Sequence, residues 1–306
     1  MKLKIWGARG SIPAPGPRTA RYGGNTSCVQ LTLSDDSVLV LDAGSGIRDL
    51  GPSCAEVDRI NILLTHLHLD HIQGLLFFAP FFRPETEIVI WGPPSPGHSL
   101  RHRIGRYLSA PLSPIEIRAL PAKVSFRKCP SEEWEIGPAR ICAAPVRHRG
   151  PTLGFRISEG DASLCYLPDH EPALGAPLAD LEPDWISGFA LAERCSLLLH
   201  DCQYTDEEYA DRVGWGHSRL SDALLFARRS EAERVMLFHH DPLHTDEDLD
   251  ELHGLAGKRW RELDGPDGGP AMAIEGTEIE LRTNGAAPRS DRGYARARSS
   301  SASRPA

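Results

Sequence analysis

The sequence predicts an α/β protein, and three observations carry that prediction. Short, branched, apolar runs that read as strands alternate along the chain with stretches that read as helices. The clearest run, Ile60-Asn61-Ile62-Leu63-Leu64, ends in Thr65-His66-Leu67-His68-Leu69-Asp70-His71. Ile72-Gln73-Gly74-Leu75-Leu76-Phe77-Phe78 then reads as the start of an apolar helix. A polar cluster between a strand end and a helix start is where α/β sheets carry their sites. Finally, 306 residues at 41% hydrophobic are enough to bury a sizeable core.

The cluster places three histidines and a carboxylate within six residues. On an extended backbone His66 and His68, two apart, point the same way, as two ligands of one ion would. Asp70 and His71 follow the turn and can serve a second ion. Imidazole and carboxylate without thiolate suit zinc, manganese or iron.

The remaining elements follow in order. Residues 3–6 read as a strand running into Gly7-Ala8-Arg9-Gly10-Ser11-Ile12-Pro13, a glycine- and proline-rich loop. A second loop, Tyr22-Gly23-Gly24-Asn25-Thr26-Ser27, precedes a strand over 28–33. Residues 37–41 form a strand ending in Asp42-Ala43-Gly44, and a short helix is expected over 45–50. After a strand at 87–91 comes a helix at 98–108. Its Arg101, His102, Arg103 and Arg106 do not share one face, so an ordinary solvated helix is preferred to a lid for an anionic substrate. Strands are expected near 115–117, 123–126, 134–136, 140–144, 152–157 and 163–167.

The chain continues with the buried run Leu197-Leu198-Leu199, which ends in His200-Asp201-Cys202-Gln203. Residues 205–211 look helical and acidic. Gly214-Trp215-Gly216-His217-Ser218 precedes an amphipathic helix at 219–229. A strand at 234–238 ends in His239-His240-Asp241-Pro242, and a helix follows at 245–260. Residues 272–274 and 277–281 suggest a closing hairpin. One domain, 1–284, is therefore expected. Residues 285–306, rich in arginine, serine, alanine and proline, have almost nothing to bury and are expected to be disordered.

Net charge is −8, which argues against a broad nucleic-acid footprint. Residues 285–306 carry five arginines and one aspartate, so the rest of the chain carries −12. Seven cysteines without a Cys-x-x-Cys pair suggest reduced, mostly buried thiols. With no signal-peptide pattern and no run of transmembrane length, a soluble cytoplasmic protein is expected, with no membrane partner.

The Thr65–His71 stretch resembles the signature of the metallo-β-lactamase fold, a superfamily of two-metal hydrolases. The Gly-Gly-Asn-Thr-Ser, Asp-Ala-Gly and Gly-His-Ser stretches are similar to its phosphodiesterase-like branch, which includes transfer-RNA 3′ processing enzymes. The resemblance implies a four-layer αββα sandwich and two divalent ions, zinc before manganese or iron. One ion would be held by His66, His68 and His148, the other by Asp70, His71 and His239, with His240 as the alternative to His239. Asp169 would bridge the two. Arg149 stands where the family often has a proline after the histidine corresponding to His148. Asp42 and Asn25 are expected to support the metals or the substrate. His217 would act near the phosphate, supported by Asp201 or His200.

By the same resemblance, a bridging hydroxide would attack a phosphodiester, with Asp70 orienting it or accepting its proton. His68 disfavours the redox branch, which usually has an acidic residue at that position. Only twenty residues separate His148 from Asp169, where bacterial transfer-RNA processing enzymes carry a long insertion. With the net charge, this disfavours transfer RNA and favours a small or cyclic phosphodiester. A lactone or thioester hydrolase remains the alternative within the fold, and a non-catalytic metal-binding regulatory protein the alternative outside it. A homodimer is left open.

Overall fold

The computed structural model describes residues 1–281. Two seven-stranded mixed sheets pack face to face. The first is built mainly from β1 (Lys2–Gly7), β2 (Cys28–Thr32), β3 (Val38–Leu41), β4 (Arg59–Leu63), β5 (Glu87–Gly92) and β6 (Lys123–Lys128). The second is built from β7 (Trp134–Ile136), β8 (Ala139–Pro145), β9 (Leu153–Glu159), β10 (Ala162–Leu167), β11 (Leu197–Asp201), β12 (Val235–Phe238) and β13 (Ala271–Met272). A last strand, β14 (Glu278–Glu280), returns to the first sheet beside β1.

Three apolar clusters define four layers. The central one joins Leu3, Ile5, Val29 and Leu31 to Phe155, Ile157, Tyr166 and Phe238, which are inward-facing residues of the two sheets. On the outside of the first sheet, Val40, Ile62 and Ile90 pack under α1 (Ile47–Leu50), α2 (Leu69–Ile72) and α3 (Leu100–Tyr107). On the outside of the second sheet, Leu198 and Leu237 are covered in the same way. The cover is α4 (Phe189–Ala192), α6 (Leu220–Arg229) and α7 (Asp246–Glu262), and α5 (Asp206–Tyr209) precedes α6 in the chain. The αββα sandwich is thus present, with each sheet buried on both faces, which explains why the central strands read as near-continuous apolar runs.

Some expectations are corrected. Residues 115–117 form no strand, and a single 3-10 turn follows at Ile117–Ala119. The cluster helix is one turn, Leu69–Ile72, followed by 3-10 turns instead of a long apolar helix. The closing hairpin is absent: β13 pairs parallel with β12 and β14 pairs antiparallel with β1. Gly276, at φ +84°, carries the chain from one sheet to the other there. All seven cysteines are free, and all but the partly buried Cys142 are buried. Among the described residues no helix is long and apolar enough to cross a membrane. The expectation for residues 285–306 lies outside the described residues.

Candidate metal centre and active site

Parallel strands deliver the site from their carboxyl ends, where open α/β sheets place ligands. In the first sheet β3 and β4 run parallel with Leu41 opposite Leu63, so Asp42 and Thr65-His66 emerge side by side. In the second sheet β10, β11 and β12 run parallel, with Leu167 opposite His200 and Asp201 opposite Phe238. Asp169, Asp201 and His239 therefore leave the second sheet at one edge. Asp42 and His239 both have positive φ, 57° and 61°, conformations that turn the chain sharply as each strand ends.

Two donor groups result. His66, His68 and His148 bring one nitrogen each within 4.8 Å of one another. Asp70, His71, Asp169 and His239 do the same with their donor atoms. Asp169 lies between the groups. Its Oδ1 is 3.7 Å from His66 Nε2, 3.5 Å from His148 Nε2 and 3.4 Å from His239 Nε2, and its Oδ2 is 2.9 Å from His71 Nε2. All seven predicted ligands are thus brought together. His240 turns away, its Nε2 donating to the Ala273 carbonyl at 2.8 Å.

The rings are oriented from behind. Asp42 Oδ2 accepts from His71 Nδ1 at 2.8 Å, and Gly216 O accepts from His148 Nδ1 at 2.7 Å. Gln203 Oε1 accepts from His239 Nδ1 at 3.1 Å, and Thr65 Oγ1 meets His66 Nδ1 at 3.0 Å. Carboxylate, carbonyl and amide oxygens can only accept, so Nδ1 bears a proton in these rings and Nε2 is the atom turned to the centre. Nε2 of His66, His71 and His239 and Oδ2 of Asp169 are buried without a hydrogen-bond partner. Buried polar atoms rarely stay unpaired, and these four, drawn from the two donor groups, fit divalent cations.

Electrostatics agree with the donor geometry. Burial disfavours charge on His66, His68 and His148 and lowers all three pKa values, which suits neutral ligands. Burial alone would raise Asp169 and Asp70. The imidazoles around them prevail and hold both below the usual carboxylate range. Against burial, Asp169, Asp70 and Asp42 push His71 well above the ordinary histidine value. Asp169 and Asp70 likewise raise His239 to about 9. The second donor group thus keeps ionised carboxylates whatever cation neutralises them.

His217 stands beside both groups. Its Nδ1 is 2.7 Å from Asp201 Oδ2, and its ring stacks on His239 at 4.9 Å between centroids. His148, Asp169 and His217 also bring donor atoms within 4.8 Å of one another. Of the two residues expected to support His217, Asp201 makes the contact, while His200 Nε2 faces His170 Nδ1 at 3.0 Å. Asp42 lies behind the centre, tied to Thr65, His71 and Tyr166. Asn25 departs from expectation. Its side chain bonds Ser45, Asp49 and Glu275, so it ties loops together instead of touching the donors.

Sequence reasoning missed several residues. Ser11 donates its backbone N–H to Asp70 Oδ2 at 2.8 Å, and Gln203 orients His239. Gly10 lies against the His239 ring so closely that a Cβ would collide with it. The glycine-rich loop 7–13 held that signal, since a glycine run often marks close backbone approach.

Such a fold, closed around such a cluster, defines a metal-dependent hydrolase. The chain belongs to the beta-lactamase superfamily, whose domain model matches residues 38–240. It is 26% identical over 257 residues to a ribonuclease Z from Mycobacterium sp. (strain KMS), covering 75% of this chain and 81% of that one. Human tRNase Z, short form, superposes with a TM-score of 0.63 and 21% identity over 92% of this chain and all of that one. A diphosphatase from the PhnP family gives 0.64 and 18% over 92% and 98%.

These relatives overturn the expectation that transfer RNA is disfavoured. The physical error lay in reading one net charge as a uniform surface. Acidic excess coexists with a local cationic face on and beside α3, where Arg101, Arg106, Arg118 and Lys128 are all exposed. A short interval between His148 and Asp169 likewise says nothing of an RNA contact made elsewhere.

Proposed function

We propose that this chain is a two-metal phosphodiesterase acting on nucleotide phosphodiesters, RNA among them, with zinc as the first candidate for both ions. The observation that carries the proposal is the Asp201–His217 pair set beside the two donor groups, 2.7 Å apart. A thioester's thiolate leaves without a proton, whereas the alkoxide that leaves a phosphodiester needs one. The relatives named ribonuclease Z and tRNase Z support the same class.

In this reading His66, His68 and His148 would hold one ion and Asp70, His71 and His239 the other, with Asp169 serving both. The ions, when bound, supply Lewis acidity toward the phosphate and lower the pKa of water. The chain's own groups do the rest. Asp42, Gln203 and Gly216 fix the tautomers of His71, His239 and His148. Asp70, pinned through Oδ2 by Ser11 N–H, keeps a carboxylate beside the attacking water to orient it. Asp201 accepts from His217 Nδ1, so the imidazolium form of His217 would give its second proton, on Nε2, to the leaving oxygen and be left neutral with Nδ1–H still on Asp201. The test is turnover by metal-loaded protein of an RNA oligonucleotide, a nitrophenyl phosphodiester, a lactone and a thioester. Phosphodiester cleavage is expected. Lactone or thioester turnover with both phosphodiesters untouched would overturn the proposal.

A further inference from the structure

Trp215 is half exposed, at 51%, yet the loop that carries it is anchored at both flanking glycines. It stands between Gly214 and Gly216, both at positive φ (81° and 92°), conformations that a side chain would strain. The carboxylate of Glu171, itself 1% exposed, accepts from Gly214 N and Gly216 N, both at 2.8 Å, and from Tyr209 OH at 2.7 Å. A buried carboxylate is thus devoted to the backbone of a surface loop. The same loop touches the site twice. Gly216 O accepts from His148 Nδ1, and a Cβ on Gly216 would strike that ring, while His217 is the next residue. Arg149 closes the arrangement. Its Nε donates to Gly214 O at 3.1 Å, and its guanidinium lies over the indole, 5.9 Å from the ring centroid.

An exposed indole loses hydration free energy unless something covers it, and no core packing explains its placement. What the arrangement offers is a rigid π surface at the rim, two residues before His217, with a cation over the ring and half of the side chain exposed. A flat π system attached to a phosphate fits that combination, because bases stack on aromatic rings and arginine adds attraction to nearby phosphates. We propose that Trp215, backed by Arg149, is a stacking platform for the base of the nucleotide whose phosphodiester is cleaved. The proposal rests on the phosphodiesterase reading and names a specificity-determining residue within it.

The test compares two esters with one leaving group, thymidine 5′-(4-nitrophenyl phosphate) and methyl 4-nitrophenyl phosphate, on metal-loaded full-length protein. Wild type should favour the base-bearing ester in kcat/KM. Trp215→Ala and Trp215→Leu should each lower that preference about 10- to 100-fold, the usual worth of one base–aromatic stack. Trp215→Phe should restore most of it. Leucine keeps apolar bulk without a π face, so a loss there separates stacking from packing. An unchanged preference in both the alanine and leucine variants would overturn the platform while leaving the phosphodiesterase reading standing. Failure of wild type to cleave either ester would remove both.

Discussion

Asp201 and His217 form a buried dyad: Oδ2 of the carboxylate sits 2.7 Å from Nδ1 of the ring, while Oδ1 accepts from the backbone N–H of Gln203 and Ser218 at 3.0 Å each. The carboxylate is therefore fixed by the chain before it meets the imidazole, and the imidazole has one usable tautomer. His217→Ala should lower kcat on an unactivated RNA dinucleotide by roughly 10²–10⁴ and retain both ions. Asp201→Asn should give a loss of the same kind, since an amide can donate to Nδ1 and invert the tautomer. On a nitrophenyl diester, whose leaving group needs no proton, both losses should shrink. Metal content and kcat on the two substrates decide it. Equal losses on both, with empty sites, would make His217 a ligand instead.

Chelation should both inactivate and destabilise the protein. The Nε2 atoms of His66, His71 and His239 and Oδ2 of Asp169 are buried without a well-formed hydrogen bond, and a cation would satisfy them. Binding to the folded state alone at a hundred times Kd adds about 2.7 kcal/mol. Dialysis against a chelator should lower Tm by several degrees, and zinc should restore it. Elemental analysis should give close to two ions per chain, and Asp169→Ala, which removes the carboxylate both groups share, should lose both. An unchanged Tm across the apo and zinc-loaded forms would contradict the assignment.

Asp42 links the second donor group to the core. It accepts from Thr65 N at 2.8 Å and His71 Nδ1 at 2.8 Å, and from Tyr166 OH at 3.1 Å, with no exposure to solvent. Asp42→Ala should lower metal affinity about 10- to 100-fold, as lost support behind a ligand does. It should also destabilise the fold by roughly 3 kcal/mol, because buried donors are left without acceptors. Metal titration and denaturant melts measure the two effects separately. A full-affinity variant would show that His71 needs no orientation from Asp42.

The residues of the donor clusters could be picked out in two ways: three histidines and a carboxylate crowd into Thr65–His71 at a strand end, and His148, Asp169 and His239 came from the resemblance to the metallo-β-lactamase fold. The strands could be read because both sheets are covered on both faces, so their runs stay apolar. What could not be read was long-range placement. The hairpin expected after residue 272 failed because alternation of residues does not say which sheet a strand joins, and Gly276 sends the two pieces to different ones. Asn25 was misplaced because a polar residue in a glycine loop looks the same whether it faces donors or Ser45 and Glu275. Gln203 and Ser11 were invisible because their roles depend on contacts 36 and 59 residues away, with His239 and Asp70. The reading of substrate from total charge failed because a sum over the chain has no address.

Arg9 gives the last prediction. Its guanidinium is fully buried and donates to the carbonyls of Gly23, Asp241 and His244, at 2.9, 3.0 and 2.7 Å. Asp246 lies at ion-pair distance, 4.0 Å. Its backbone is also fixed, since Arg9 N donates to Asn25 O while Gly10 N donates to His240 O. The side chain thus clamps the loop after His239 to the loop after β1, the two segments that supply His239 and the Ser11 N–H on Asp70. Arg9→Met removes the charge and all three hydrogen bonds, leaves the carbonyls without this donor and takes away one of the two arginines beside Asp246. It should destabilise the fold by roughly 3–5 kcal/mol. Arg9→Lys keeps the charge but cannot fork to three carbonyls, so a smaller loss of about 1–3 kcal/mol is expected. Both variants should weaken the donor group that contains His239 and spare the one made by His66, His68 and His148. Zinc titration followed by calorimetry should then show one affinity lowered and the other kept. Equal weakening of both ions, or none in a folded Arg9→Lys protein, would show that the clamp stabilises the fold without shaping the centre.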